Sequence, residues 1–188
     1  TASTWILDPI DGTVNYMRGR RFSCVSVALL EGRTPILAMV YDPFSDELFT
    51  ARRGQGSWLN GKPIHVSAFP MEKALITIGT TPYEPDLAGI VMDIARRMLV
   101  AGGDLRRTGS AALDLCWVAC GRTELYYELN LAPWDYAAGA LIVEEAGGKL
   151  LDPLGQPIDY GQPARLLASN PLCAAPALSI LREALGQN

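Results

Sequence analysis

Asp8-Pro9-Ile10-Asp11-Gly12-Thr13 decides how this chain is read. Trp5-Ile6-Leu7 before it is a short apolar run, which predicts a strand ending at a carboxylate. Pro9 has no backbone N–H and a fixed φ, so strand pairing is expected to stop there and the chain to turn. Asp11-Gly12-Thr13 then predicts a helix start, with Asp11 as cap and Gly12 permitting close backbone approach. Two carboxylates three residues apart, facing free helix N–H groups, make a mixed site. Carboxylate oxygens suit a hard cation such as Mg²⁺, while the N–H groups and helix dipole suit an anion such as phosphate. Carboxylates alone repel phosphate, so the two halves cohere only with a metal between them. The ordinary meaning of D-x-x-D is a capped turn. Here Pro, Gly and Thr all fall where a metal–phosphate site needs them.

Working outward, Phe22 to Leu30 predicts a strand buried on at least one face, Glu31-Gly32-Arg33 a turn, and Pro35 to Tyr41 the returning strand. Glu47 to Ala51 follows the turn Asp42–Ser45, and Asn60-Gly61 marks a hairpin between Trp58-Leu59 and Pro63 to Val66. Residues 1–80 therefore predict an antiparallel meander half. Residues 81–188 predict a mixed α/β half of the same single domain. Ala74 to Ile78 is a strand, and Asp86 to Val100 has helical spacing that stops at Gly102-Gly103. Asp104 to Arg107 is a connection, Ala111 to Cys120 a compact apolar helix, and Glu124 to Leu129 a strand. Pro133 opens a helix to about Ala146. Lys149 to Leu151 and Leu166 to Ser169 are strands, and Pro176 to Leu185 a terminal helix. Alternation of this kind gives a layered α/β or α+β architecture.

The 188 residues suffice for one domain with a sizeable core, and 49% hydrophobic content with 19% charge is globular. A net charge of −4 gives no reason to expect a nucleic-acid partner. No apolar run approaches the roughly 20 residues of a membrane span, so no membrane association is expected. The cysteines at 24, 116, 120 and 173 form no C-x-x-C, and His65 stands alone, which argues against zinc. Cys116 and Cys120 read as packing on one helix, and reduced cysteines fit a cytoplasmic location.

D-P-I-D-G-T-V-N-Y at 8–16 resembles the first signature of the inositol monophosphatase family, the Mg²⁺-dependent, lithium-sensitive phosphatases. Trp134-Asp135-Tyr136-Ala137-Ala138-Gly139, running on to Glu144-Glu145-Ala146-Gly147-Gly148, resembles its second. The resemblance extends from about Ser3 to at least Asn170. It implies a layered α/β/α/β/α sandwich of the sugar-phosphatase type, a usually dimeric protein and a small phosphorylated polyol or sugar as substrate. By that resemblance Asp8 bridges two Mg²⁺ ions, the Ile10 carbonyl binds the first, and Asp11 and Asp135 bind the second. Thr13 would hold the attacking water, and the N–H groups of Gly12 and Thr13 the phosphate. Arg107-Thr108-Gly109-Ser110-Ala111-Ala112 is similar to the family's substrate loop, in which Gly109, Ser110 and Ala111 would offer backbone N–H groups to a substrate hydroxyl. Glu128, seven residues before Asp135, matches a carboxylate set against the polyol ring, and Asp135 itself would also face substrate.

From the residues alone, Asp135 is a first-turn carboxylate stabilised by its helix dipole, and 109–111 reads equally as an ordinary helix start or as a substrate-facing one. Glu128 reads as a solvated strand-end acid, Asn15 as loop support, Tyr16 and the four tryptophans as packing residues. Glu144 and Glu145 read as helix-end salt bridges or caps. Arg18, Arg20 and Arg21 either attract phosphate or are solvated. The family's upstream G-E-E-like carboxylate and opening helices have no counterpart in the seven residues before Asp8. Loss of those helices is expected to expose an apolar face that an upstream segment or another chain covers, and to leave this stretch a poor catalyst. The leading reading is a Mg²⁺-dependent phosphomonoesterase acting on inositol monophosphate or a related sugar phosphate. Fructose bisphosphatase, histidinol-phosphatase and nucleotide phosphatase activities stand beside it, as does a non-catalytic metal- and phosphate-binding remnant.

Overall fold

A computed structural model describes residues 2–186. Its first sheet is a continuous antiparallel meander of six strands in sequential order: β1 (Ser3–Asp11), β2 (Cys24–Glu31), β3 (Thr34–Asp42), β4 (Glu47–Arg52), β5 (Ser57–Leu59) and β6 (Lys62–Ile64). Strict alternation along β2 decides which face is buried. Cys24, Ser26, Ala28 and Leu30 point inward, and Val25, Val27 and Leu29 point to the half-exposed face. Register carries that half-exposed face across the sheet. Trp5 lies opposite Leu29 and Leu29 opposite Leu37, while Leu7 lies opposite Val27 and Val27 opposite Met39. Trp5, Leu7, Leu37 and Met39 are all exposed, so the apolar face expected from sequence is present.

The inner face packs on two central helices, α3 (Ala111–Ala119) and α4 (Pro133–Glu145), whose far sides meet Tyr126, Leu166 and Ala168 of a second sheet. That sheet has the order β10-β11-β9-β7-β8, with β7 (Leu75–Ile78), β8 (Asp104–Arg106), β9 (Leu125–Leu131), β10 (Lys149–Leu151) and β11 (Ala164–Ser169). β7 runs parallel to both β8 and β9, and the remaining pairs are antiparallel. Its other face, through Ile76, Leu125, Tyr127 and Leu167, packs on α2 (Ala88–Ala101) and α5 (Pro171–Ala184). The layers run sheet, helices, sheet, helices. α4 is buried along one unbroken run from Tyr136 to Val143 because a sheet covers it on each side. Gly139 lets α3 approach: a Cβ there would meet the Leu115 Cβ at 2.6 Å.

Four local expectations need correction. Pairing does not stop at Pro9; β1 continues to Asp11 through a register shift between Asp8 and Asp11. As an edge strand, β1 tolerates the lost N–H. Residues 104–106 pair with β7 and are a strand rather than a connection. α5 starts at Pro171, capped by the Asn170 side chain accepting from Cys173 N, and carries Pro176 inside it. Tyr16 is 56% exposed, and of the tryptophans Trp5, Trp58 and Trp134 are exposed, so they do not serve as packing residues. Glu144 pairs with Arg53 at 2.6 Å and Glu145 accepts from the N–H groups of Gly54 and Gly56, so these acids tie the helix end to the first sheet. The four cysteines are free thiols.

Candidate metal and phosphate site

The irregularity in β1 builds the site. Asp8 is opposite Ser26 and Asp11 opposite Cys24, so three steps on β1 match two on β2. In a regular strand, residues three apart point to opposite faces; the extra residue brings both carboxylates to one side. The Ile10 N–H donates to Asp8 Oδ1 at 2.9 Å and the Thr13 hydroxyl donates to the Ile10 carbonyl at 2.9 Å, which close the turn. Gly12, not Asp11, is the residue before the short helix α1 (Thr13–Met17). Its φ of 80° lies in the left-handed region, and a Cβ would stand 2.5 Å from the Phe22 carbonyl, so both backbone and space require glycine. Asp11 is free of capping because its carboxylate turns inward. Oδ2 accepts from Ser110 Oγ at 2.5 Å and from Ala112 N at 2.9 Å, with the Cys24 thiol at 3.7 Å.

Asn15 does support the loop. Its buried amide donates to the Phe22 carbonyl at 2.8 Å and the Thr108 carbonyl at 3.0 Å, joining the first motif to the turn before α3. Ser110 caps α3 while holding Asp11. Asp135 arrives on the first turn of α4, after Pro133, and its Oδ2 accepts from Ala132 N at 2.8 Å. Oxygens of Asp8, Asp11 and Asp135 lie within 4.8 Å of one another. Three hard oxygen donors from two distant motifs, with no basic side chain among them, fit Mg²⁺ in donor type and in charge.

The residues predicted from sequence line a single cleft of about 510 Å³: Asp8, Ile10, Asp11, Gly12, Thr13, Gly109, Ser110, Ala111, Glu128 and Asp135. Glu128 sits in the middle of β9, not at a strand end, and is held rather than solvated. Tyr126 Oη donates to its Oε2 at 2.6 Å and Thr81 N to its Oε1 at 3.0 Å, and it lies against Gly79, where a Cβ would meet Glu128 Cδ at 2.0 Å. Arg18, Arg20 and Arg21 are solvent-exposed and outside the cleft wall. Arg107, the first residue of that substrate-loop stretch, also lines the cleft, as do Asp114, Tyr126 and Asn130, to which the sequence assigned no role. A lone acid in the run Ala-Ala-Leu-Asp-Leu-Cys-Trp was the available signal for Asp114.

The cleft strains to hold its negative charge. Burial pushes Asp11 up to about 7 against the hydrogen bonds from Ser110 and Ala112, and Asp135 and Asp8 add repulsion. Burial also raises Asp135, opposed by the Ala132 N–H, and raises Glu128, opposed by Tyr126 and Thr81. A bound cation would relieve all three.

The layered fold and the acidic cleft between its motifs define one class, the sugar-phosphatase type of α/β sandwich. The Inositol monophosphatase family matches residues 1–185, and the chain belongs to that family. Inositol monophosphatase 1 of Solanum lycopersicum is 47% identical over 172 residues, which cover 89% of this chain and 62% of that protein. The Nus factor SuhB of Xylella fastidiosa is 44% identical over 149 residues, 79% of this chain and 54% of that protein. The inositol monophosphatase of Anabaena superposes with a TM-score of 0.90 at 36% identity, covering 97% of this chain and 74% of that one. A dual specific IMPase/NADP phosphatase bound with D-inositol-1-phosphate superposes at 0.84 with 29% identity, over 95% of this chain and 68% of that one. The chain thus spans about three fifths of the length of the curated relatives it matches.

Proposed function

We propose that the complete protein is a Mg²⁺-dependent phosphomonoesterase acting on inositol monophosphate or a related sugar phosphate. The observation that carries this reading is the convergence of Asp8, Asp11 and Asp135 on one point of a cleft that also holds Glu128. Asp8, Asp11, Asp135 and the Ile10 carbonyl would hold Mg²⁺, which supplies a lowered water pKa and charge neutralisation at phosphate. The backbone N–H groups of Gly12 and Thr13 are assigned to the phosphate, and the Thr13 hydroxyl to orienting the attacking water. Gly109, Ser110 and Ala111, which line the same cleft, are assigned to a substrate hydroxyl. Glu128 accepts from a ring hydroxyl, its carboxylate already fixed by Tyr126 and Thr81. No side chain is needed as nucleophile, so water attacks in line and no phospho-enzyme forms. A homodimer is part of the proposal by family analogy.

Phosphate release from inositol 1-phosphate, with and without Mg²⁺ and against a panel of sugar and nucleotide phosphates, tests this in the complete gene product. Turnover that needs Mg²⁺ and disappears in Asp11→Asn supports it. Mg²⁺ binding without turnover on any substrate would favour a second reading, an interaction surface built on this fold. Relatives named Nus factor SuhB, at 40–44% identity, are the observation behind that alternative.

A further inference from the structure

α3 contributes one group to the cleft that the phosphatase reading leaves without a task. Every residue of the helix except Trp117 is buried, and Asp114 is its only ionisable group apart from the Cys116 thiol. Asp114 is 2% exposed and lines the cleft. A buried acid is costly unless its oxygens are partnered, yet Oδ1 has no hydrogen-bond partner and the carboxyl forms no ion pair among the described residues. The charges acting on it are Asp11 and Glu128, which repel, and Arg107. A group so poorly compensated is a poor device for stability alone.

What it does hold is a turn. Thr108 Oγ1 donates to Asp114 Oδ2 at 2.7 Å and itself accepts from Ser110 N at 3.1 Å. Ser110 Oγ in turn bonds Asp11 Oδ2 at 2.5 Å, and Ala112 N reaches the same oxygen. We propose that Asp114 is a positioning residue of the metal site: through Thr108 it sets the Thr108–Ser110 turn that orients Asp11, keeping the other Asp11 oxygen for the cation. The inference rests on the metal reading above. Asn15 donates to the Thr108 carbonyl at 3.0 Å, so the turn keeps one anchor when Asp114 is removed.

Groups that orient a metal's ligands are worth about 10–100-fold in metal affinity. The test is calorimetric Mg²⁺ titration of the complete gene product, with melting temperature in EDTA as the measure of structure alone. Asp114→Ala and Thr108→Val should each weaken Mg²⁺ binding about tenfold. The double variant should weaken it no further, because both changes break one link. Asp114→Asn, which keeps an oxygen toward Thr108, should bind within about twofold of the parent. Should Asp114→Ala fail to fold, Thr108→Val and Asp114→Asn decide. Variants that melt lower but bind Mg²⁺ like the parent, or single effects that multiply in the double variant, overturn the inference. A parent protein that binds no Mg²⁺ overturns the metal reading and this inference with it; a binding parent with unaltered variants overturns this inference alone.

Discussion

Replacing Ser110 by Ala removes one hydroxyl that does two jobs. It donates to Asp11 Oδ2 at 2.5 Å and accepts from Leu113 N at 3.4 Å as the cap of α3. A buried hydrogen bond to a charged acceptor is worth about 1.5–3 kcal/mol, and a cap about 1 kcal/mol, less here because the capping contact is long. Asp11 Oδ2 keeps the Ala112 N–H, so the loss should total about 2–4 kcal/mol at a pH where Asp11 is ionised. For a chain of this size that lowers the melting temperature by roughly 5–15 °C. The pH dependence gives a second check. Asp11 titrates near 7, so at pH 8 it is mostly carboxylate and at pH 5 mostly neutral. A hydrogen bond between neutral groups is worth about 0.5–1.5 kcal/mol, so the deficit should shrink at pH 5. Thermal denaturation in EDTA at both pH values, with Ser110→Thr as the variant that keeps a hydroxyl, provides the assay. A melting temperature within about 1 °C of the parent at pH 8, or an equal deficit at both pH values, would show that Ser110 does not hold an ionised Asp11.

Further outcomes follow from neighbouring contacts. Because the folded Asp11 pKa is raised above its ordinary 3.8 to about 7, the metal-free fold binds more protons than the unfolded chain in between. Its stability should therefore fall as pH rises from about 4 to about 7, a slope that melting curves in EDTA should show and Asp11→Asn should flatten. Over the same window Mg²⁺ must displace a proton, so calorimetric affinity should weaken as pH drops below about 7 and binding should release protons. Gly12→Ala forces a Cβ to 2.5 Å from the Phe22 carbonyl at φ 80°. It should cost about 1–2 kcal/mol from the left-handed backbone alone and weaken phosphate inhibition of the enzyme; unchanged stability and inhibition would count against the turn described here. Gly139→Ala places a Cβ 2.6 Å from the Leu115 Cβ and should destabilise by about 1–3 kcal/mol in urea denaturation without altering Mg²⁺ binding.

Much of this architecture could be read from the residues because its signals are local. Alternation in β2, the Asn60-Gly61 hairpin and Gly102-Gly103 after α2 each fix an element without reference to distant partners. The carboxylate cluster was legible for another reason, two motifs whose order and spacing are specific, although only the fold brings Asp135 to Asp8 and Asp11. What escaped the reading depends on tertiary contact. β8 is too short to carry a pattern and exists because β7 offers it an edge. Pro9 stays within β1 because it falls in the register shift between Asp8 and Asp11, on a strand that is the sheet's edge among the described residues. The exposed tryptophans lie on a face of the first sheet that no described residue covers and at the rim of the cleft, which no composition reveals. Asp11 looked like a cap from its neighbours and instead serves the interior, since Ser110 and Ala112 lie some hundred residues away.

The central claim is that Asp8, Asp11 and Asp135 share a metal. A crystal of the complete gene product soaked in Mn²⁺ tests it directly through anomalous scattering. The expected result is a peak about 2.0–2.3 Å from carboxylate oxygens of all three residues, lost on Asp11→Asn. Anomalous density confined to other carboxylates, with this cleft empty at saturating Mn²⁺, would contradict it.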